Sequence, residues 1–222
     1  MSAAHRNYVM VALAAGAVFA LGLGVRQAQP LFISAINSST GIGYATISLA
    51  FGIAQLMWGV AQPVAGAIAD RYGPRPVMVS GALLVSAATA LTPLAHSGLA
   101  LALLVGVLAA TGAGALGPSL LMSVANRWIT DAKRAFASGI INAGGSFGQF
   151  TLVPLAQLAI GLAGWQPAMV LLGATGILAV PLVLWLTRGG AEQVAVAQAA
   201  SSGAASLRQA LREAAGDHSF LL

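Results

Sequence analysis

Six stretches of this chain each run for about the thickness of a bilayer with almost no charge, and that feature limits the fold more than any other. A hydrocarbon core of ~30 Å takes about 20 apolar residues of helix. Backbone groups in lipid have no water to bond, so the spanning form open to such runs is the α-helix. The runs cover residues 8 to about 32, 44–69, 76 to about 94, 99 to about 125, about 136 to 160, and 165 to about 186. Between them stand the turn Asn37-Ser38-Ser39-Thr40-Gly41, a charged turn at 66–76, the short hairpin Ala95-His96-Ser97-Gly98, a second charged loop, and Gly164-Trp165. The expectation is an all-α polytopic membrane protein with a six-helix bundle over 1–188. A pliant Ala/Gln/Ser/Gly linker over 189–217 follows, and the apolar residues 218–222 read as the start of a seventh helix or as a frayed tail.

Only 7% of the 222 residues are charged, yet the net charge is +5. Its placement explains it. Arg6, Arg71, Arg75, Arg127, Lys133, Arg134, Arg188, Arg208 and Arg212 fall on the N-terminal segment, the second and fourth loops and the tail, whereas the first, third and fifth loops hold no Lys or Arg. Basic residues near span ends collect on the cytoplasmic side, so the N-terminus is expected to be cytoplasmic, in a bacterial inner membrane. The charge then needs no nucleic acid, and no basic cluster interleaved with aromatics is present to track a phosphate backbone. The absence of cysteine excludes a disulfide framework and thiolate metal sites. His5-Arg6 and the first run resemble a signal peptide, but the run continues past the cleavage-like Ala-Val-Phe-Ala and five spans follow.

The charged turn, Gly66 followed by Asp70-Arg71, Gly73 and Arg75, resembles the loop between the second and third helices of major facilitator superfamily transporters. Asn126-Arg127-Trp128 with Lys133-Arg134-Ala135-Phe136-Ala137-Ser138-Gly139 resembles the same family's loop into its fifth helix. The resemblance implies half of a twelve-helix fold, made of two inverted three-helix repeats, with charged loops after spans two and four as their expected equivalents. It also implies a partner: a second six-helix half or another copy of the chain. Carried over, Gly66 lets helix two approach a neighbour, Asp70 caps and charge-pairs at a cytoplasmic gate, and Arg71 and Arg75, around Gly73, hold the loop. Pro74 stands where the family carries a further basic residue. Gln55, Trp58-Gly59, Gln62-Pro63, the run 144–149, Pro154 and Gly164-Trp165 resemble the branch around oxalate/formate exchangers and monocarboxylate porters.

One basic residue is not explained by topology. Arg26 lies inside the first span, where a charge costs at least ~2.5 kcal/mol on insertion scales and is retained for a pathway or an ion pair. The acidic residues Asp70, Asp131, Glu192, Glu213 and Asp217 all read as loop or tail. Its counter-ion is then a bound anion or a group on a partner, or else the guanidinium snorkels to the outer headgroups from near the span's end. A guanidinium fork matches a carboxylate, so a small organic anion is the expected solute. Helical spacing aligns Gly22, Arg26, Gln29 and Ile33, which puts Gln29 beside Arg26 as a ligand. Asn142 and Gln149 in span five are further candidates, on a stripe with Ser146, while Gln55, Gly59, Gln62 and Gly66 share a face of span two that packs helices or lines a cavity.

Secondary transport by rocking of two bundles is the expected activity, with no cofactor implied and no acidic residue in the spans to relay protons. A six-helix channel or a non-transporting scaffold is the alternative. Gly112-x-Gly114-x-x-Gly117 has dinucleotide-fingerprint spacing but no preceding strand. Gly144-x-Ser146-x-Gly148 mimics a nucleophile elbow and raises an intramembrane serine hydrolase, yet no histidine falls within a span to serve as its base.

Overall fold

Polar residues do not stop the first helix where the sequence suggests. In the computed structural model, which describes residues 8–188, the helix continues through the Asn37-Ser38-Ser39 cluster to Thr40. Thr40 Oγ1 donates to the Ile36 carbonyl at 2.7 Å and Asn37 Oδ1 accepts from the Gly43 amide at 3.0 Å, so these side chains satisfy the helix's own last turn. Gly41, at φ +67°, then turns the chain in the left-handed region that glycine enters without strain.

Six helices long and apolar enough to cross a membrane result: α1 (Tyr8–Thr40), α2 (Tyr44–Tyr72), α3 (Pro74–Leu94), α4 (Gly98–Asn126), α5 (Asp131–Ala163) and α6 (Trp165–Leu186). The protein is a multi-pass, all-helical membrane protein, with no strand among the described residues. Two further boundaries move. Asp70 and Arg71 belong to the last turn of α2, not to a loop, because Gly73 alone (φ +87°), its amide bonded to the Ala69 carbonyl, separates α2 from Pro74. Helix α5 begins at Asp131, five residues before its apolar run, with an acid in the first turn that complements the helix dipole. The residues of the expected linker and seventh helix, 189–222, lie outside the described set.

Glycine decides how the helices pair. Methyls built at Gly144 and Gly148 of α5 would collide with the backbone of Gly16 and Ala20 in α1, and one at Gly24 would lie 2.8 Å from the Gly148 carbonyl oxygen. The two backbones therefore touch along a parallel seam of small residues four apart. Helices α2 and α4 pair in the same parallel sense, Gly106 against the Ala50 carbonyl and Gly114 against Trp58 and Ala61, while α3 and α6 pair antiparallel through Gly173 against Ser86 and Ala90. Exchanging α1 with α4, α2 with α5 and α3 with α6 maps this pairing scheme onto itself. Three crossings per unit reverse direction, so the two units are inverted repeats.

Inversion corrects one expectation. The charged connections after α2 and α4 share a membrane face and are not repeat equivalents. The equivalent of the Gly73 turn is the Gly164 turn between α5 and α6, at the opposite face, with φ +84° and its amide bonded to the Ile160 carbonyl. The glycines that resembled a dinucleotide fingerprint, Gly112, Gly114 and Gly117, pack against Val85, Ala61 and Gln62 respectively. Only 22% of the most apolar stretch of α2 and 11% of that of α5 is buried, against half or more in α1, α3 and α4. The symmetry-related pair α2 and α5 thus carries the least covered surface.

Candidate functional site

Helix α1 reaches Thr40, so Arg26 stands about 27 Å of helix rise from Tyr8 and about 21 Å from the far end. It stands near the middle of the helix, not in its last turns. Pro30 follows one turn later, removes the amide that would reach the Arg26 carbonyl, and tightens Gln29–Phe32 into a 3₁₀ turn.

The Arg26 side chain reaches across to α2. Its Nη1 donates to Gln27 Oε1 at 2.9 Å, its Nη2 donates to Gln55 Oε1, and its Cζ lies 4.6 Å from the centre of the Trp58 ring. Gln27 Nε2 in turn donates to Gln149 Oε1 of α5 at 3.1 Å. Three helices therefore meet in one polar cluster. Each of the three amide oxygens accepts a bond from within it, whereas Arg26 Nε is buried with no acceptor. What the cluster has left to offer is mainly donors: the remaining guanidinium N–H groups and the unused amide N–H groups of Gln27, Gln55 and Gln149. A donor-rich site around a guanidinium, with no carboxylate in it, is chemistry for an anion.

The other expected residues go elsewhere. Gln29 is 2% exposed and donates to Thr89 Oγ1 of α3 at 2.8 Å. It shares the interior stripe of Val18, Gly22, Val25 and Phe32, with Arg26 one step to the side. Asn142, two turns nearer the basic end than Gln149, donates to the Ser138 carbonyl at 2.9 Å and joins no cluster residue. Gln62 accepts from Ser119 and donates to the Trp58 carbonyl. Gly59 and Gly66 have nothing within 4 Å of a methyl built on them, so among the described residues neither supports a close helix approach. Asp70, Arg71 and Arg75 are exposed at the basic end, with Arg71 Cζ 5.3 Å from the Tyr72 ring. The ion pair there joins Arg134 to Asp131 at 2.7 Å, and Lys133 Nζ sits 4.0 Å from the Tyr8 ring.

Ser146 lies in the middle of the continuous helix α5, not on a strand-to-helix turn, and its flanking glycines serve the α1 seam. His96, in the α3–α4 turn, belongs to another part of the chain. A groove of 420 Å³ between α5 and α6 is lined by leucines and alanines. Its one hydroxyl, on Thr175, is taken by the Leu172 carbonyl. That groove suits hydrocarbon, not a polar solute.

An inverted-repeat bundle of six membrane-length helices is the architecture of one half of a secondary transporter. The chain belongs to the Major Facilitator Superfamily, whose family model matches residues 11–222. It is similar to the oxalate:formate antiporter of Oxalobacter formigenes, 29% identical over 79% of this chain and 41% of that protein. It is also similar to a probable sulfoacetate transporter of Cupriavidus necator, 30% identical over 70% of this chain and 35% of the relative. Monocarboxylate transporter 3 of Rattus norvegicus is 32% identical over 68% of this chain and 30% of its own length. These relatives fall in the branch expected from the motifs, and the chain spans less than half the length of each. Membership in a transporter family, together with a serine in mid-helix, sets the hydrolase reading aside.

Proposed function

We propose that this bundle forms one wall of an alternating-access transporter for a small organic anion, with Arg26 as the group that binds it. The observation carrying this is the guanidinium halfway along its helix, held among the described residues by neutral amides and an indole face. A half-buried cation without an acidic neighbour among the described residues is stabilised by an anionic ligand. The relatives' names agree in chemistry: oxalate, formate, sulfoacetate and monocarboxylate all carry a carboxylate. Gln55 and Gln149 add amide donors from α2 and α5. Those two helices also present the least covered faces, which a second six-helix half or a second copy of the chain would cover while closing the other wall of the cavity. Asp70, Arg71 and Arg75 then form part of a gate at the basic, cytoplasmic end, with the N-terminus inside a bacterial inner membrane.

The test is anion-dependent thermal stabilisation of the purified chain by acetate and oxalate. Arg26→Gln should remove it while the variant still unfolds cooperatively; stabilisation equal to wild type would rule Arg26 out. Vesicle uptake of labelled oxalate, with the chain alone and with an added second bundle, separates a half-transporter from a channel, because a channel conducts without the partner.

A further inference from the structure

The Arg26 guanidinium is not open on all sides, and what covers it limits the shape of anion it can hold. The Trp58 ring lies over its Cζ at 4.6 Å. Gln55, about one turn earlier on α2, accepts from Nη2. The backbone that carries the ring is held in place: the Trp58 carbonyl accepts from Gln62 Nε2, and Gly114 of α4 packs so closely that a methyl there would lie 3.1 Å from that carbonyl oxygen. A guanidinium is planar, so all its N–H donors, the buried and unpartnered Nε–H among them, lie along the edge of the group and not through its face.

We propose that Trp58 is a specificity-determining residue, selecting flat carboxylates over tetrahedral oxyanions. The inference rests on the reading of Arg26 as the anion-binding group. A carboxylate engages the guanidinium edge with both oxygens and its substituent in one plane, so the covered face costs it nothing. A sulfonate or phosphate that places two oxygens in that plane must send one remaining substituent above it and one below. One of the two therefore meets the indole: for phosphate an oxygen, which the ring's negative face repels, and for a sulfonate either an oxygen or the carbon substituent, which the ring crowds. The covering ring also shields one side of the half-buried cation from water, which strengthens whatever bond the edge makes.

Thermal unfolding of the whole purified chain, titrated separately with acetate, oxalate, methanesulfonate and inorganic phosphate, tests this. Wild type should respond to the two carboxylates at concentrations about tenfold lower than to the two tetrahedral anions. Trp58→Ala should shrink that ratio to about threefold or less, and Trp58→Phe, which keeps a smaller ring in place and guards against loss of fold, should fall between. A ratio unchanged in both variants, or no preference in wild type, overturns the inference. Arg26→Gln separates it from the reading beneath: loss of response to all four anions, with an unchanged ratio in Trp58→Ala, removes only the role of Trp58. An Arg26→Gln protein that still responds to all four removes both.

Discussion

Helix α2 of the first repeat carries Pro63 and is capped by Gly73, with Pro76 in the next helix; helix α5 of the second carries Pro154 and is capped by Gly164, with Pro167 following. The same length of chain separates the members of all three pairs. Both glycines occupy the same unusual backbone region, and each donates its amide four residues back. The frame is duplicated, but the chemistry is not. Arg26, Gln27, Gln55 and Trp58 all come from the first repeat, and Gln149 is the second repeat's single contribution to the cluster. At the position in α4 that corresponds to Arg26 stands Gly117, where the helix breaks before Pro118. Duplication supplies a symmetric scaffold, and a few substitutions in one copy suffice to build a site on it.

The largest effect should come from testing the seams of that frame. Leucine at Gly148 has to occupy space filled by the backbone of Ala20, and leucine at Gly114 meets Ala61 and Trp58 in the equivalent α2–α4 seam. Each should cost about 3 kcal/mol or more, seen as loss of monodisperse protein or a sharply lower unfolding midpoint in detergent. Gly59→Leu, on the open face of α2, should stay within about 0.5 kcal/mol of wild type. If Gly148→Leu melts no lower than Gly59→Leu, close backbone contact is not what joins α1 to α5.

Next come the paired turns. Gly73 has φ +87° and ψ 153°, Gly164 φ +84° and ψ 168°. That region is nearly exclusive to glycine, at about 1–3 kcal/mol for other residues. Gly73→Ala and Gly164→Ala should therefore lower the unfolding midpoint by similar amounts despite lying at opposite membrane faces. Unequal losses would show that the two turns have diverged in role.

Much of the frame was legible in the chain, because long apolar runs report directly on the solvent around each helix. Helix ends were less so: Asp70, Arg71 and Asp131 are charged yet helical, since hydrophobicity marks the lipid boundary and the hydrogen-bond ladder marks the helix boundary. The inverted repeat was written in Pro63/Pro154, Gly73/Gly164 and Pro76/Pro167, a sparse signal that side-chain similarity does not carry. Within the site, Arg26 stood out by its charge and Gln149 by its stripe, whereas Gln29 was misplaced beside Arg26. Stripe reasoning joins residues three or four apart on one helix. It therefore passed over Gln27, the immediate neighbour of Arg26, and could not foresee that Arg26 reaches Gln55 and Trp58 across the gap to another helix.

The smallest predicted effect bears most directly on the asymmetry of the site. Gln55 accepts a bond from the guanidinium itself, and Gln149 accepts one from Gln27, a neutral amide one step further out. Bonds to a charged group contribute about 1.5–3 kcal/mol, and neutral pairs about 0.5–1.5. Gln55→Leu frees one Nη donor but also lets the guanidinium leave its place under Trp58, so the concentration of acetate needed for stabilisation should rise about tenfold. Gln149→Leu loses one outer donor and leaves Arg26 held by both Gln27 and Gln55, so a rise of about threefold or less is expected. The order of the two tells which repeat carries recognition. Equal losses would mean that the bound anion bridges α1 to α5 as strongly as to α2, and that the site is as symmetric as the frame around it.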